Sequence, residues 1–430
     1  MTPSGRGRRV QRAVSTYLSD VRRFSKNARL YLLGSFLMAI NMQVFQLLLN
    51  LYLKELGLGE SSIGLIVSSR AGGMALMAVP AALILTRWRL KPTLIATGTA
   101  FGFFSLGVVW TGSFEFLLLF SLLCGMSFSF YRVASGPFYV RNSTLAERTH
   151  LFSFSFGTMI LAGMVGSLGA GKLATLLAQW LSDAAAGYQY ALTAGIAVSL
   201  LALVPFSLLR AARPSVEESR IRVSREQFRR HGHYYVKITL TNFVIGTGAG
   251  IIIPFLNLYF RDRFHLAPDS IGGCYFGVQV AMLIGTLAGP VLARRFGLVR
   301  AVVLTQLASI PFLLVLSYTY VLPLAVAAFV VRGGLMNIGV PIITNLGMEL
   351  SDKSEQGLVN ALLVLSWTSS RMAAMAVGGW LIETYGYTFT MNITVVLYLA
   401  SSLMFYLFFR NVEVRRQAGA GWTVARENGE

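Results

Sequence analysis

The chain has 430 residues, of which 55% are hydrophobic and only 13% are charged. Soluble domains carry about 25% charged residues, so this composition excludes an assembly of soluble domains. The formal net charge of +19 would suit a nucleic-acid-binding protein, but the basic residues lie between long apolar blocks and form no aromatic-interleaved binding module. We therefore expect a lipid bilayer, and no nucleic acid, as the partner of most of the chain.

Twelve apolar blocks follow one another along the chain, each of roughly 20 residues and so long enough to cross a bilayer core of about 30 Å. They are predicted to be helices, because lipid offers no partner for unpaired backbone groups. The predicted fold class is an all-α membrane protein with twelve transmembrane helices. The blocks cover residues 30–53, 63–85, 93–110, 116–140, 151–177, 190–209, 236–260, 271–293, 301–318, 322–346, 358–382 and 389–409.

A polar, arginine-rich stretch separates the blocks into two groups of six, and the two groups repeat each other. Leu49-Asn50-Leu51-Tyr52 recurs 207 residues later as Leu256-Asn257-Leu258-Tyr259. We therefore predict a duplicated six-helix unit. The predicted segments are a basic N-tail (1–29), an N-terminal bundle (30–210), a linker (211–235), a C-terminal bundle (236–410) and a C-tail (411–430).

The basic residues outside the blocks are strongly biased to one side of the predicted membrane. If the N-terminus is cytoplasmic, only Lys54, Arg261 and Arg263 lie in outside loops. The positive-inside rule therefore predicts that both termini are cytoplasmic. We expect a multi-pass protein of the cell (inner) membrane that acts as a monomer.

The loop after the second block of the C-terminal group carries a glycine- and arginine-rich motif, Gly289-Pro-Val-Leu-Ala293-Arg294-Arg295-Phe296-Gly297-Leu-Val-Arg300, and a degraded copy surrounds Arg87 in the N-terminal group. With the duplication, this motif resembles the signature of the major facilitator superfamily. The resemblance implies two pseudo-symmetric six-helix bundles that move a solute by alternating access. It also implies a gating or structural role for a set of residues on the cytoplasmic side: Arg87, Arg295, Gly289, Gly297 and, from an R-x-x-x-G spacing in the fourth block, Arg132.

Arg371 is the main candidate for substrate binding, because it lies near the middle of the eleventh block. Trp367, Thr368 and Asn360 share its helical face. A guanidinium beside an indole and a hydroxyl could hold an anionic, partly apolar solute. The alternative is a structural arginine that donates to carbonyl groups of a neighbouring helix.

Two further arginines lie deep in blocks. Arg332 precedes a Gly-Gly pair, and both a substrate-binding and a structural role stay open for it; for Arg70 we expect a structural or gating role. No Asp or Glu lies deep in any block. Because intramembrane ionisable residues are costly and usually functional, this charge pattern favours an anionic or zwitterionic substrate and weakens proton coupling.

Side-chain amides form a polar stripe that is suited to a translocation path. Gln43, Gln46 and Asn50 fall within an arc of about 60° on the first block. Asn242 and Asn257 lie in the seventh block, which Pro254 could bend, and Gln279 lies in the eighth. The alternative for each amide is a hydrogen bond between helices.

No nucleotide-binding, metal-binding or nucleophile motif occurs in the sequence. We therefore expect no enzyme, no catalytic residue, no metal and no cofactor. The predicted function is secondary active transport of a small organic anion or zwitterion. The alternatives are an efflux transporter of amphiphilic drugs or lipids and a transporter-like receptor or sensor.

Overall fold

The computed structural model of the protein describes residues 24–143, 145–210, 225–351 and 356–417. Most of the predicted N-tail (1–29), linker (211–235) and C-tail (411–430) therefore lies outside the described residues. Almost all of the described chain is α-helical. The spanning helices are α1 (Lys26–Glu55), α2 (Glu60–Arg87), α3 (Leu90–Trp110), α4 (Phe114–Arg141), α5 (Leu145–Leu181), α6 (Ala184–Leu201), α7 (Arg225–Ile252), α8 (Pro268–Phe296), α9 (Leu298–Tyr318) and α10 (Leu322–Glu349), followed by one long helical segment, Gln356–Gln417.

The last segment contains two spans rather than one. Its 62 residues would form a rod about 90 Å long at 1.5 Å per residue, which is far more than a bilayer requires. Gly386 breaks it with φ 79° and ψ 174°, a left-handed conformation that only glycine adopts without strain. We name the parts α11 (356–385) and α12 (387–417). Eleven described helices are long and apolar enough to cross a membrane, and this division makes twelve spans. The predicted fold class is confirmed.

The seventh span is bent at Pro254, as its sequence suggests. A 3-10 turn, Ile253–Phe255, follows α7, and a short helix, Leu256–Phe264, completes the crossing. Proline lacks a backbone N–H and its ring clashes with the preceding turn, so the α-helix cannot continue regularly through it.

The internal repeat is visible in the hydrogen bonds as well as in the sequence. Tyr52 donates from its hydroxyl to the carbonyl of Val109 at 2.7 Å, and Tyr259 donates in the same way to the carbonyl of Leu316 at 2.6 Å. The two residues of each pair are 57 positions apart in both halves. The duplicated motif therefore makes the same contact twice.

The helices pack as two groups, α1–α6 and α7–α12, which meet mainly where α2 contacts α11 and where α5 contacts α8. We call the end of the helices at which α1 begins the proximal end, and the end at which α1 stops at Glu55 the distal end. Short connections reverse the chain between successive spans, so α1, α3, α5, α7, α9 and α11 all begin at the proximal end.

Within the described ranges, the large cluster of buried side chains joins the two groups at one end. One large apolar cluster includes residues of both groups and lies at the distal end, with Leu51, Ile63, Leu258 and Ile271 among its members. Towards the proximal end, each group has its own separate cluster, one around Tyr31 and Phe206 and one around Tyr235 and Phe409. Because van der Waals packing of side chains holds membrane helices together, the halves adhere distally and part proximally.

Candidate functional site

A cleft separates the two groups at the proximal end and closes at about half the depth of the molecule. Along α8, no side chain between Ile271 and Met282 is exposed, whereas Ile284 and Leu287 beyond this stretch are 62% and 71% exposed. Along α2, Ile66 is fully buried and Leu76 is 66% exposed. The change in exposure marks the depth at which the two halves stop touching.

Two asparagines close the distal end. Asn50 donates to the carbonyl of Pro254 at 2.6 Å, and Asn257 donates to the carbonyl of Leu47 at 2.8 Å. The two amides also contact each other at 3.3 Å, and both side chains are buried. We call this reciprocal pair the Asn50–Asn257 clasp. These two predicted path residues therefore lie in a seal between the halves, because equivalent residues of a two-fold repeat meet at its axis.

Ionic and close backbone contacts reinforce the same end. Arg261 pairs with Glu55 across the halves at 2.6 Å, and Glu383 accepts a hydrogen bond from the backbone N–H of Ser61 at 2.7 Å. At the crossing of α2 and α11, a methyl group added to Gly379 would lie 2.2 Å from the carbonyl oxygen of Glu60, so no larger residue fits there. The distal end is thus tightly interlocked.

Gln43 and Gln279 connect the halves at mid-depth. Gln279 donates to the amide oxygen of Gln43 at 3.2 Å, from α8 to α1. The Gln43 side chain is only 6% exposed, and its amide nitrogen has no hydrogen-bond partner. Gln46, one turn further along α1, is exposed. Both glutamines of α1 therefore retain hydrogen-bonding capacity that the protein does not use.

Arg371 lies 15 residues after the start of α11, about 22 Å along the helix and near the middle of the span. Its guanidinium carbon is 5.6 Å from the centre of the Trp367 ring, within the range of a cation–π contact. The indole itself lies against the α7 backbone at Gly246. The guanidinium forms no ion pair and no hydrogen bond with the described protein, and none of its nitrogen atoms is buried without a partner. Its donors therefore face open space.

Other residues predicted to lie beside Arg371 differ in their availability. The Thr368 hydroxyl donates to the carbonyl of Val364 in its own helix at 2.8 Å, although the side chain is only half-buried. Asn360 is exposed closer to the proximal end of α11. Asn242 of α7 donates to the carbonyl of Leu363 at 2.9 Å and so connects α7 to α11. Asn242 therefore forms a hydrogen bond between two helices, which is a structural role, whereas Thr368 bonds only within its own helix.

Arg132 of α4 is the counterpart of Arg371 on the other side of the cleft. Its side chain is exposed although it lies nine residues before the end of α4, and it has no ion pair or hydrogen-bond partner in the described chain. Arg132 belongs to the N-terminal group of helices and Arg371 to the C-terminal group. We call Arg132 and Arg371 the open arginine pair. The sequence suggested a gating or structural role for Arg132. Its exposure means that the side chain is also accessible from the cleft.

The other two deep arginines contact protein groups: Arg332 is buried and Arg70 is half-buried. Arg332 is 4% exposed, donates to the hydroxyl of Tyr398 on α12, and has a buried Nε with no partner. Its neighbour Gly333 lets α8 approach closely at Val278, which leaves Arg332 turned towards α12 rather than towards the cleft. Arg70 packs 4.9 Å from the Phe45 ring centre, and its Nη2 lies 3.0 Å from the sulfur of Met42. The aromatic and sulfur partners were not identified from the sequence, because apolar blocks are rich in such residues and nothing marks these.

The residues of the signature loop lie at the proximal end. Arg87 and Arg295 are exposed there, and the Arg295 guanidinium carbon lies 5.4 Å from the centre of the Phe296 ring. Gly289 is buried where α8 packs near Ile338. Gly297 forms the junction of α8 and α9 with φ 87°, which explains the glycine at this position of the motif.

Comparisons with known proteins agree with this architecture. No curated protein matches the chain by sequence. The solved structures that resemble it include a bacterial homolog to human lysosomal transporter Spinster in an inward-facing and occupied conformation (14% identity, TM-score 0.74, covering 89% of this chain and 96% of that one). They also include nucleoside transporter NupG (15%, 0.71, 90% and 100%) and the human organic anion transporter MFSD10 (15%, 0.62, 88% and 99%). The sequence model of the family described as Major Facilitator Superfamily matches residues 31–233 and 238–427.

Proposed function

The chain belongs to the Major Facilitator Superfamily, and from this premise we propose that it is a secondary active transporter of small organic anions or zwitterions. The observation that carries the proposal is the open arginine pair. Arg132 and Arg371 come from different halves, face the cleft, and have no anionic partner in the described protein.

The cost of these charges supports a binding role. An arginine at the centre of a membrane span costs about 2.5–3.5 kcal/mol on insertion scales. The protein contains four of them at depth: Arg70, Arg132, Arg332 and Arg371. Arg70 and Arg332 contact aromatic, sulfur and hydroxyl groups, whereas the open arginine pair has no hydrogen-bond or ion-pair partner in the described protein. A bound anion would supply the missing charge.

The distribution of acidic residues argues against a cationic substrate. Every Asp and Glu in the described helices lies near a helix end, for example Glu60, Glu115 and Glu383. A cation would therefore find no carboxylate at the depth of Arg371. The indole of Trp367 supplies an apolar surface next to the guanidinium, which suits a carboxylate or phosphate that carries a hydrocarbon or ring.

Alternating access follows from the two-bundle arrangement as a proposal. With both termini on the cytoplasmic side, as the basic residues indicate, the proximal cleft faces the cytoplasm of a cell membrane and the distal seal faces outside. Rocking of the bundles would close the cleft and separate the clasp. MFSD10 is named an organic anion transporter, but at 15% identity the likeness extends only to the fold, so the substrate class is inferred from the arginines.

The proposal is tested by a thermal-shift screen of purified protein against benzoate, succinate, citrate, glutamate and glycerol 3-phosphate. We expect at least one anion to raise the melting temperature of the wild type and not that of an Arg371→Ala variant that still folds. Flux of the same anion in proteoliposomes should depend on Arg371. If none of the anions binds and neutral amphiphilic dyes bind equally to both proteins, the anion proposal is wrong and the efflux alternative is favoured.

A further inference from the structure

The unpaired charges of the open arginine pair also constrain how the transporter moves when it is empty. In the open cleft, water reaches both guanidinium groups. Closing the proximal end would remove that water and leave two uncompensated positive charges in a medium of low dielectric constant. Removing a charged group from water costs several kcal/mol even after relaxation.

The described protein offers no group at this depth that could neutralise the pair during closure. Two ion pairs lie where the two groups of helices meet, Lys54–Glu60 and Arg261–Glu55, and both are at the distal end. Gln43 and Gln279 contribute amides, which carry no charge. Arg332 donates to Tyr398 and adds a third positive charge in the C-terminal half. Among the described residues, none is placed to compensate the pair, so a solute in the cleft would supply the negative charge.

We infer that the transporter is an anion exchanger, in which the open arginine pair prevents the empty molecule from closing. This inference rests on the proposed function and names its mode of coupling. A bound anion neutralises the pair and lets the cleft close; after release on the other side, a second anion must bind before the protein can return. The exchange of equally charged anions moves no net charge, and no proton or cation is required.

The first test measures the conformation of the empty protein and needs no knowledge of the substrate. Spin labels are placed on Leu76→Cys of α2 and Val364→Cys of α11, which are exposed on opposite halves near the cleft. The two native cysteines, Cys124 and Cys274, are both buried, which limits labelling elsewhere. Without anion, the wild type should show only the long distance of the open cleft. The Arg132→Gln/Arg371→Gln variant should show a closed population at least about tenfold larger, which corresponds to about 1.4 kcal/mol.

The matched control keeps the charges and changes the shape. An Arg132→Lys/Arg371→Lys variant should remain as open as the wild type, because both positive charges are kept. If the glutamine variant is no more closed than the wild type, the inference is wrong. If both variants close equally, the shape of the side chains rather than their charge holds the cleft open, and the inference is again wrong.

The second test measures transport of the labelled anion with the largest thermal shift in the screen. Proteoliposomes either contain the same unlabelled anion or contain none, and valinomycin with equal K⁺ on both sides clamps the membrane potential. Uptake should be at least about tenfold faster into the loaded vesicles. Equal uptake into loaded and empty vesicles would overturn exchange while leaving anion transport in place. Failure of every anion to bind would defeat the proposed function instead, and the spin-label distances would still report on the charges.

Discussion

The distal end and the middle of the molecule differ in whether their lysine and arginine side chains are paired with carboxylates. At the distal end, Lys54 pairs with Glu60 at 2.5 Å and Arg261 pairs with Glu55 at 2.6 Å. In the middle, Arg132 and Arg371 have no carboxylate at all among the described residues. The protein can therefore pair its cations where it is sealed. It leaves them unpaired where the two halves part, and this difference is what an anion-binding site requires.

Removing one charge of the open arginine pair should have the largest effect. An Arg371→Gln variant should bind the screened anion more weakly by about 2–5 kcal/mol, because a desolvated charge–charge contact is lost. Isothermal titration calorimetry on the purified variant measures this directly. Lys172→Gln, which removes an exposed charge on α5, is the control and should leave the affinity unchanged. Equal losses in both variants would mean that overall charge, and not the site, determines affinity.

Breaking the distal seal should have the next largest effect. Asn50→Leu leaves the buried Asn257 amide with a missing partner, at a cost of about 1–3 kcal/mol to the sealed state. Spin labels on Leu56→Cys and Val321→Cys should then report a distal opening that the wild type lacks. The double variant with Asn257→Leu should open by less than the sum of the two single effects, since both share one contact.

The control for the clasp is an asparagine that bonds within one half only. Asn392 donates to the hydroxyl of Tyr318 inside the C-terminal group, at 2.8 Å. Asn392→Leu should leave the distal distances unchanged. Opening of the same size in this variant would show that any lost amide destabilises the bundle, and the Asn50–Asn257 clasp would have no special role.

Placing a carboxylate beside Arg371 should pair its charge, as the cations of the distal end are already paired. Thr368 lies one turn before Arg371 on α11, at the i−3 position where side chains of a helix meet. Thr368→Asp should compete with the substrate and weaken anion binding about tenfold, or about 1.4 kcal/mol. Thr368→Asn, of the same shape without the charge, should bind nearly as well as the wild type. Similar affinities for the Asp and Asn variants would contradict the electrostatic account.

Removing a distal ion pair should have the smallest effect. Arg261 and Glu55 are both about a quarter exposed, and such pairs contribute about 0–1 kcal/mol. Glu55→Gln should therefore change the distal spin-label distances less than Asn50→Leu does. The residual effect should fade as salt rises from about 50 to about 500 mM, because ions screen exposed charges. A salt-independent effect larger than that of the clasp would reverse the ranking.

Hydrophobic block length predicted the number and type of spans well, because a bilayer fixes how much apolar chain is needed to cross it. The break in the last segment was predictable too, since the polar residues around Gly386 interrupt two apolar blocks. Helix ends were not predictable. For example, α5 runs over Leu145–Leu181, whereas its block covers only 151–177, because a helix continues past the hydrocarbon into the polar interface.

The depth of a charged residue could be read from the sequence, but its direction could not. Arg332 and Arg371 look alike in their blocks, yet one is enclosed by Tyr398 and the other faces the cleft. A helix that is apolar on every side gives no pattern to distinguish lipid, core and cleft, so its rotation depends on packing against neighbours. Asn50 and Asn257 did carry a usable signal. They occupy equivalent positions of the repeat, and equivalent residues near the symmetry axis face each other.

The most direct test of the central claim compares each anion with its neutral analogue. Calorimetric titration of the purified protein with benzoate and benzamide, and with succinate and succinamide, isolates the contribution of the negative charge at nearly constant shape. We expect at least one carboxylate to bind the wild type and to bind Arg371→Gln far more weakly, while its amide binds neither protein. Amides that bind as well as their carboxylates, or a glutamine variant that binds carboxylates as tightly as the wild type, would contradict an anion site at the open arginine pair.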